Sequence, residues 1–121
     1  MSYAFYKIMH MVGLAFLLVG LGAVLMASYT GQMQNKKAKM LGFAAHGIGL
    51  LVMIVAGFGL AARLGVFAEF PKWMIAKMVI WVIMGIAISV MKRRPQWAFG
   101  SMLVIVGLVG TAAWLAISKP F

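Results

Sequence analysis

Residues 40–62 read MLGFAAHGIGLLVMIVAGFGLAA, an apolar run in which His46 is the single ionisable side chain. A helix needs about 20 apolar residues to cross the hydrocarbon core of a bilayer, so this run predicts a membrane span. Three similar runs lie at residues 8–29, 73–91 and 98–118. Charged residues make up 10% of the 121-residue chain, against roughly 25% in soluble domains, which argues against a soluble fold.

Short links join the four apolar runs, and Pro71 and Pro95 lie just outside them. The four apolar runs predict an all-α fold. The short links force consecutive helices to run antiparallel. The expected architecture is a transmembrane up-down-up-down four-helix bundle. Residues 1–121 then form a single integral-membrane domain with spans at about 8–29, 40–62, 73–91 and 98–118.

The net charge is +10, and Glu69 is the only acidic residue. The basic residues lie mostly in the links, where they indicate topology and contact with anionic lipids rather than nucleic acid. Links one and three contain six of them: Lys36, Lys37, Lys39, Lys92, Arg93 and Arg94. The opposite side has four: Lys7, Arg63, Lys72 and Lys119. The positive-inside rule therefore places links one and three in the cytoplasm and both termini outside.

Most of the 14 glycines lie inside the predicted spans. Small residues let membrane helices approach closely, so stripes of them predict packed faces. We expect Gly13, Gly20, Gly49 and Gly107 each to face another helix. On the fourth helix the predicted interior stripe consists of Gly100, Val104, Gly107, Thr111 and Trp114.

Three polar groups inside the spans could carry chemistry: His10, His46 and Lys77. Two histidines in a membrane bundle suggest a haem held between two imidazoles. The predicted helix ends, however, separate the depths of His10 and His46 by roughly 20 Å at 1.5 Å per residue. Two axial ligands of one iron lie only about 4 Å apart, so the two histidines should not share a haem.

Lys77 matches His10 better, because helices 1 and 3 run the same way and place both residues near one depth. At that level helix 2 offers Gly57, Phe58 and Gly59, and helix 4 offers Thr111 and Trp114. The glycines would leave space and the aromatic rings would form flat walls. These residues predict a pocket for a planar ligand near the outer surface, with His10 and Lys77 as ligands of its metal.

Structural roles compete with this hypothesis. Lys77 could extend its ammonium group to the outer interface, about one helical turn away. His10 could hydrogen-bond a neighbouring helix, and His46 could be a neutral histidine bonded to a carbonyl or hydroxyl group. Met9 and Met11 beside His10 suggest copper, although flexible core packing is the better explanation of the methionines.

Two short patterns resemble known membrane proteins. Lys7-Ile8-Met9-His10 is similar to the K-x-x-H of small four-helix bacterial proteins of the SirB type and of HemJ-type protoporphyrinogen oxidases. Residues 73–77 resemble the W-x-x-x-K that begins their third helix. The resemblance implies a bacterial inner-membrane protein with b-type haem held by His10 and Lys77. Residues 46–65 and the ending SKPF look closer to the SirB type, and the oxidases' arginine motif is replaced by residues 27–29, ASY.

Two functional hypotheses follow. In the first, His10 and Lys77 hold haem b near the outer face, with Phe58, Gly59 and Trp114 around it, in a redox or haem-handling role. In the second, the chain is a non-catalytic accessory or scaffold subunit. Its glycine-rich faces then pack against a larger membrane complex or against a second copy of the chain.

Overall fold

The computed structural model describes residues 2–65 and 69–118, and 89% of the structure is helical. Four helices follow one another: α1 (Tyr3–Tyr29), α2 (Lys36–Leu64), α3 (Lys72–Arg93) and α4 (Ala98–Ser118), with a short 3₁₀ turn at Pro95–Trp97 before α4. Strands are absent from the described residues, and all four helices are long and apolar enough to span a membrane. The predicted all-α fold with four spans is therefore confirmed. Lys119, Pro120 and Phe121, used above for topology and resemblance, lie outside the described residues.

The first two helices begin earlier than their apolar runs do. The Ser2 hydroxyl accepts from the backbone N–H of Phe5 at 3.2 Å, so α1 begins at Tyr3 rather than at residue 8. The Asn35 side chain accepts from Lys37 and Ala38 at 3.1 and 3.2 Å, so α2 begins at Lys36 rather than at residue 40. Such caps satisfy the free N–H groups of a first turn whatever the hydropathy of the following residues.

Glycines bring α1 and α2 into the closest contact in the molecule. A Cβ atom at Gly20 would collide with the backbone of His46, and one at Gly49 would collide with the backbone of Leu17. At Gly13 a Cβ atom would lie 2.9 Å from the backbone nitrogen of Met53. The prediction that Gly13, Gly20 and Gly49 face another helix is confirmed.

The core lies mainly between α1 and α3. It consists of Leu17, Leu21, Val24, Met84, Ile88, Met91 and Ile105. Helix α2 lines this core chiefly through small buried residues and His46, which is 3% exposed. The long side chains of α3 therefore pack into the space beside the tight α1–α2 pair.

The predicted interior stripe of α4 is wrong. Gly100 and Gly107 have no neighbouring atom within 4 Å, and Val104 and Trp114 are 59% and 52% exposed. The buried face of α4 instead contains Ala98, Ile105 and Leu115. Close approach favours glycine, whereas α4 packs through the larger side chains of Ile105 and Leu115. The stripe of α4 that is rich in glycine is left facing outward.

Candidate functional site

Each histidine ties its own helix to the next one along the chain. His10 of α1 donates its Nδ1–H to the carbonyl oxygen of Met53 in α2 at 3.1 Å. His46 of α2 donates its Nε2–H to the carbonyl oxygen of Met84 in α3 at 3.0 Å. A carbonyl oxygen can only accept, so the bonded nitrogen carries the hydrogen in both rings. The expected structural bond of His46 to a carbonyl group is confirmed.

The two histidines lie at different depths of the bundle. His10 contacts α2 near Gly57, while the backbone of His46 lies against Gly20, ten residues along α1 from His10. Ten residues correspond to about 15 Å of helix. The separation is smaller than the 20 Å predicted, because α1 and α2 extend beyond their apolar runs. It still prevents one iron from binding both rings.

Lys77 of α3 lies near His10, as the matched depths predict. The lysine is partly buried, and its ammonium group is close enough to the His10 ring for the two groups to interact electrostatically. Helices α1 and α3 are in direct contact, which brings these side chains together although 67 positions separate them in the sequence. Whether the pair binds a cofactor stays a prediction.

The predicted walls of the pocket differ from the observed ones. The ring of Tyr6 occupies the space beside Gly59, where an added Cβ atom would collide with it. Gly57, which the matched depths also placed at this level, lies next to His10, with 3.5 Å between its ideal Cβ position and His10 Cε1. Phe58 in α2 and Trp114 in α4 are 38% and 52% exposed, and their role as walls of a pocket stays a prediction.

The hydrogen bond of His10 determines the chemistry available at its ring. With Nδ1–H bound to the Met53 carbonyl, a neutral imidazole presents its lone pair at Nε2. Histidines that ligate metals typically donate their other ring N–H to a carbonyl or carboxylate in this way. His10 could therefore supply a metal ligand through Nε2, whereas Gly59 does not leave the space expected for a haem ring.

A metal ion held by protein ligands alone is a weaker fit. Within residues 2–65 and 69–118, groups of three or more histidine, aspartate or glutamate side chains do not come together. A haem iron is already held by its porphyrin and needs only one or two axial ligands from the protein. The His10–Lys77 pair matches that smaller requirement.

Two further interhelical bonds were missed by the sequence analysis. Ser28 of α1 donates to the carbonyl oxygen of Met91 in α3 at 2.6 Å, and the Trp81 indole N–H donates to the carbonyl oxygen of Leu50 at 3.1 Å. Pro95 was a usable signal for the first bond, because it stands four residues after Met91 and cannot donate the helical N–H. Trp81 carries no comparable signal in the sequence.

Comparison of the chain with protein-family models, with curated proteins and with solved structures finds no match.

Proposed function

We propose that this chain is a small multi-pass membrane protein that binds b-type haem at His10 and has a redox or haem-handling role. The observation that carries the proposal is the bond from His10 Nδ1–H to the Met53 carbonyl, which leaves the lone pair of Nε2 available for a metal. The patterns around His10 and Lys77 support it by their resemblance to haem-associated proteins. The same resemblance supports a bacterial inner membrane, and the charge bias supports termini on the outer side.

Lys77 would serve the haem in one of two ways. A neutral amine could occupy the second axial position, while a charged ammonium group would bind a haem propionate. Its proximity to His10 suits both roles. A bound haem would supply one-electron redox chemistry, and the chain would supply the axial imidazole, the charge near the ring and an apolar surrounding.

The absorption spectrum of the purified protein tests this proposal. After expression with ample haem, wild type should show a Soret band of a six- or five-coordinate b-type haem. Lys77→Met should shift the band if the amine is a ligand, or weaken haem retention if it binds a propionate. A wild-type protein that folds and shows no haem absorbance would contradict the proposal.

The outward face of α4 supports a second candidate, an accessory or scaffold subunit. Gly100 and Gly107 lie there without neighbours, beside a groove of about 630 Å³ between α3 and α4. Glycines on a lipid-facing surface permit another helix to approach closely. Gly100→Leu with Gly107→Leu should then convert an oligomer to a monomer in size-exclusion chromatography with light scattering. An unchanged mass would remove this support.

A further inference from the structure

Basic side chains from two helices meet at the end of the bundle that carries links one and three. Lys92 of α3 lies over the ring of Phe43, one helical turn of α2 from Lys39, so that the two ammonium groups interact electrostatically, and Arg93 adds a further positive charge beside Lys92. Like charges at such a distance repel each other. An anion bound between the two ammonium groups would relieve this repulsion.

The chain has no acidic side chain that could supply this anion. Glu69 is the only acidic residue in the sequence, and it follows the C-terminal end of α2. Lys39 lies in the first turn of the same helix, 25 residues before Leu64. At 1.5 Å per residue, about 37 Å of helix separate the lysine from the end near Glu69. An anion at this site would therefore come from outside the chain.

The surroundings of Lys39 and Lys92 indicate which kind of molecule would carry the anionic group. Lys36, Lys39, Met40 and Phe43 line a shallow cavity of about 290 Å³. Lys92 lies over the ring of Phe43, with 5.8 Å between Nζ and the ring centroid. Met40 and Leu41 are 70% and 71% exposed at the same turn of α2. A charged rim directly beside an exposed apolar surface matches a lipid, whose phosphate lies at the membrane boundary and whose chains lie below it.

We propose that Lys39, Lys92 and Lys36 form a binding site for the phosphate of an anionic phospholipid, with its acyl chain against Met40 and Phe43. The site is independent of the proposed haem, which lies near the opposite end of the bundle. It goes beyond general attraction of basic links to a membrane, because two helices contribute to one site.

Ligand-dependent thermal unfolding of the full chain in neutral detergent tests the site. The probes are a short-chain phosphatidylglycerol, the matching phosphatidylcholine and inorganic phosphate. Phosphatidylglycerol should raise the unfolding midpoint in a saturable way, since a ligand that binds the folded state stabilises it. Lys39→Met with Lys92→Met should weaken its apparent affinity roughly 30-fold, the expectation for two lysines near a membrane surface.

A matched control removes the same charge at the other end of the bundle. Lys7 lies 5.9 Å from the ring centroid of Tyr3, which resembles the arrangement of Lys92 over Phe43, and Lys72 begins α3. Lys7→Met with Lys72→Met should change the affinity less than threefold.

An equal loss in both double variants would overturn the site, as would equal protection by phosphatidylcholine. Equal protection by inorganic phosphate would overturn the lipid assignment. If the first double variant does not fold, Lys92→Met alone should weaken binding about fivefold.

Discussion

The carbonyl group of Met91 receives its hydrogen bond from Ser28, because Pro95 has no N–H to donate. Pro95 stands where the helical N–H donor should be, and proline has none. Ser28, which is 6% exposed, satisfies that oxygen from α1 at 2.6 Å. A buried carbonyl without a partner is costly, so a single hydroxyl group fixes the end of α3 against α1.

Ser28→Ala should lower the free energy of unfolding by about 1–2 kcal/mol, because the Met91 carbonyl loses its donor. Thr111→Val is the matched control, since the Thr111 hydroxyl bonds Gly107 within its own helix on an exposed face. It should cost less than about 0.5 kcal/mol. Reversible unfolding in mixed micelles measures both, and a neutral Ser28→Ala would argue against the bond.

Part of the candidate site could be predicted at the residue scale. Matching depths in parallel helices bring Lys77 near His10, and the interhelical bonds that the competing structural roles predicted for the two histidines are both observed. The rise per residue of a helix is enough to predict that His10 and Lys77 lie at the same depth. The pocket walls could not be predicted in the same way, because the ring of Tyr6 fills the space at Gly59. Which side chain enters a gap depends on rotamers that a sequence pattern does not specify.

At the scale of the helices, glycines occur in two different environments: at the tight α1–α2 contact and on the outward face of α4. Gly20 and Gly49 lie where α1 and α2 touch backbone to backbone, whereas Gly100 and Gly107 have open space around them. Glycine stripes therefore identified the α1–α2 pair correctly and misplaced the buried face of α4. A stripe shows that close approach is possible, and only the partner helix decides whether it occurs.

Gly49→Ala and Gly107→Ala should separate these two cases. The new methyl group at Gly49 would meet the backbone of Leu17, which cannot move aside without parting the helices. We expect a loss of about 1–3 kcal/mol in unfolding free energy. At Gly107 the methyl group meets open space, so the change should lie within about 0.5 kcal/mol of zero. The same micelle assay compares them. Equal losses would mean that α4 packs more tightly than described.

For the whole molecule, four apolar runs were enough to predict the number, order and approximate positions of the helices. The lipid requirement that backbone groups be satisfied within each segment leaves few alternatives to helices. The helix ends were less predictable, since Ser2 and Asn35 extend α1 and α2 through local capping rather than hydropathy. Because of those extensions, the difference in depth between His10 and His46 is smaller than predicted.

The membrane topology, predicted from the basic residues of the links, can be tested by labelling. The chain contains no cysteine, so single cysteines report without background. Gln34→Cys lies in link one, and Ser118→Cys lies at the end of α4 on the opposite side. With an impermeant thiol reagent on intact cells, Ser118→Cys should react and Gln34→Cys should react only after lysis. The reverse pattern would place the termini inside.

The two histidines offer the most direct test of the central claim, that His10 binds haem while His46 holds helices together. His10→Gln and His46→Gln each keep an N–H donor for the Met53 or Met84 carbonyl and each remove the imidazole. Both variants are titrated with haem and followed at the Soret band. We expect His10→Gln to lose the wild-type band and His46→Gln to retain it, since about 15 Å separates the rings along the bundle. A wild-type band in His10→Gln, or its loss only in His46→Gln, would contradict the claim.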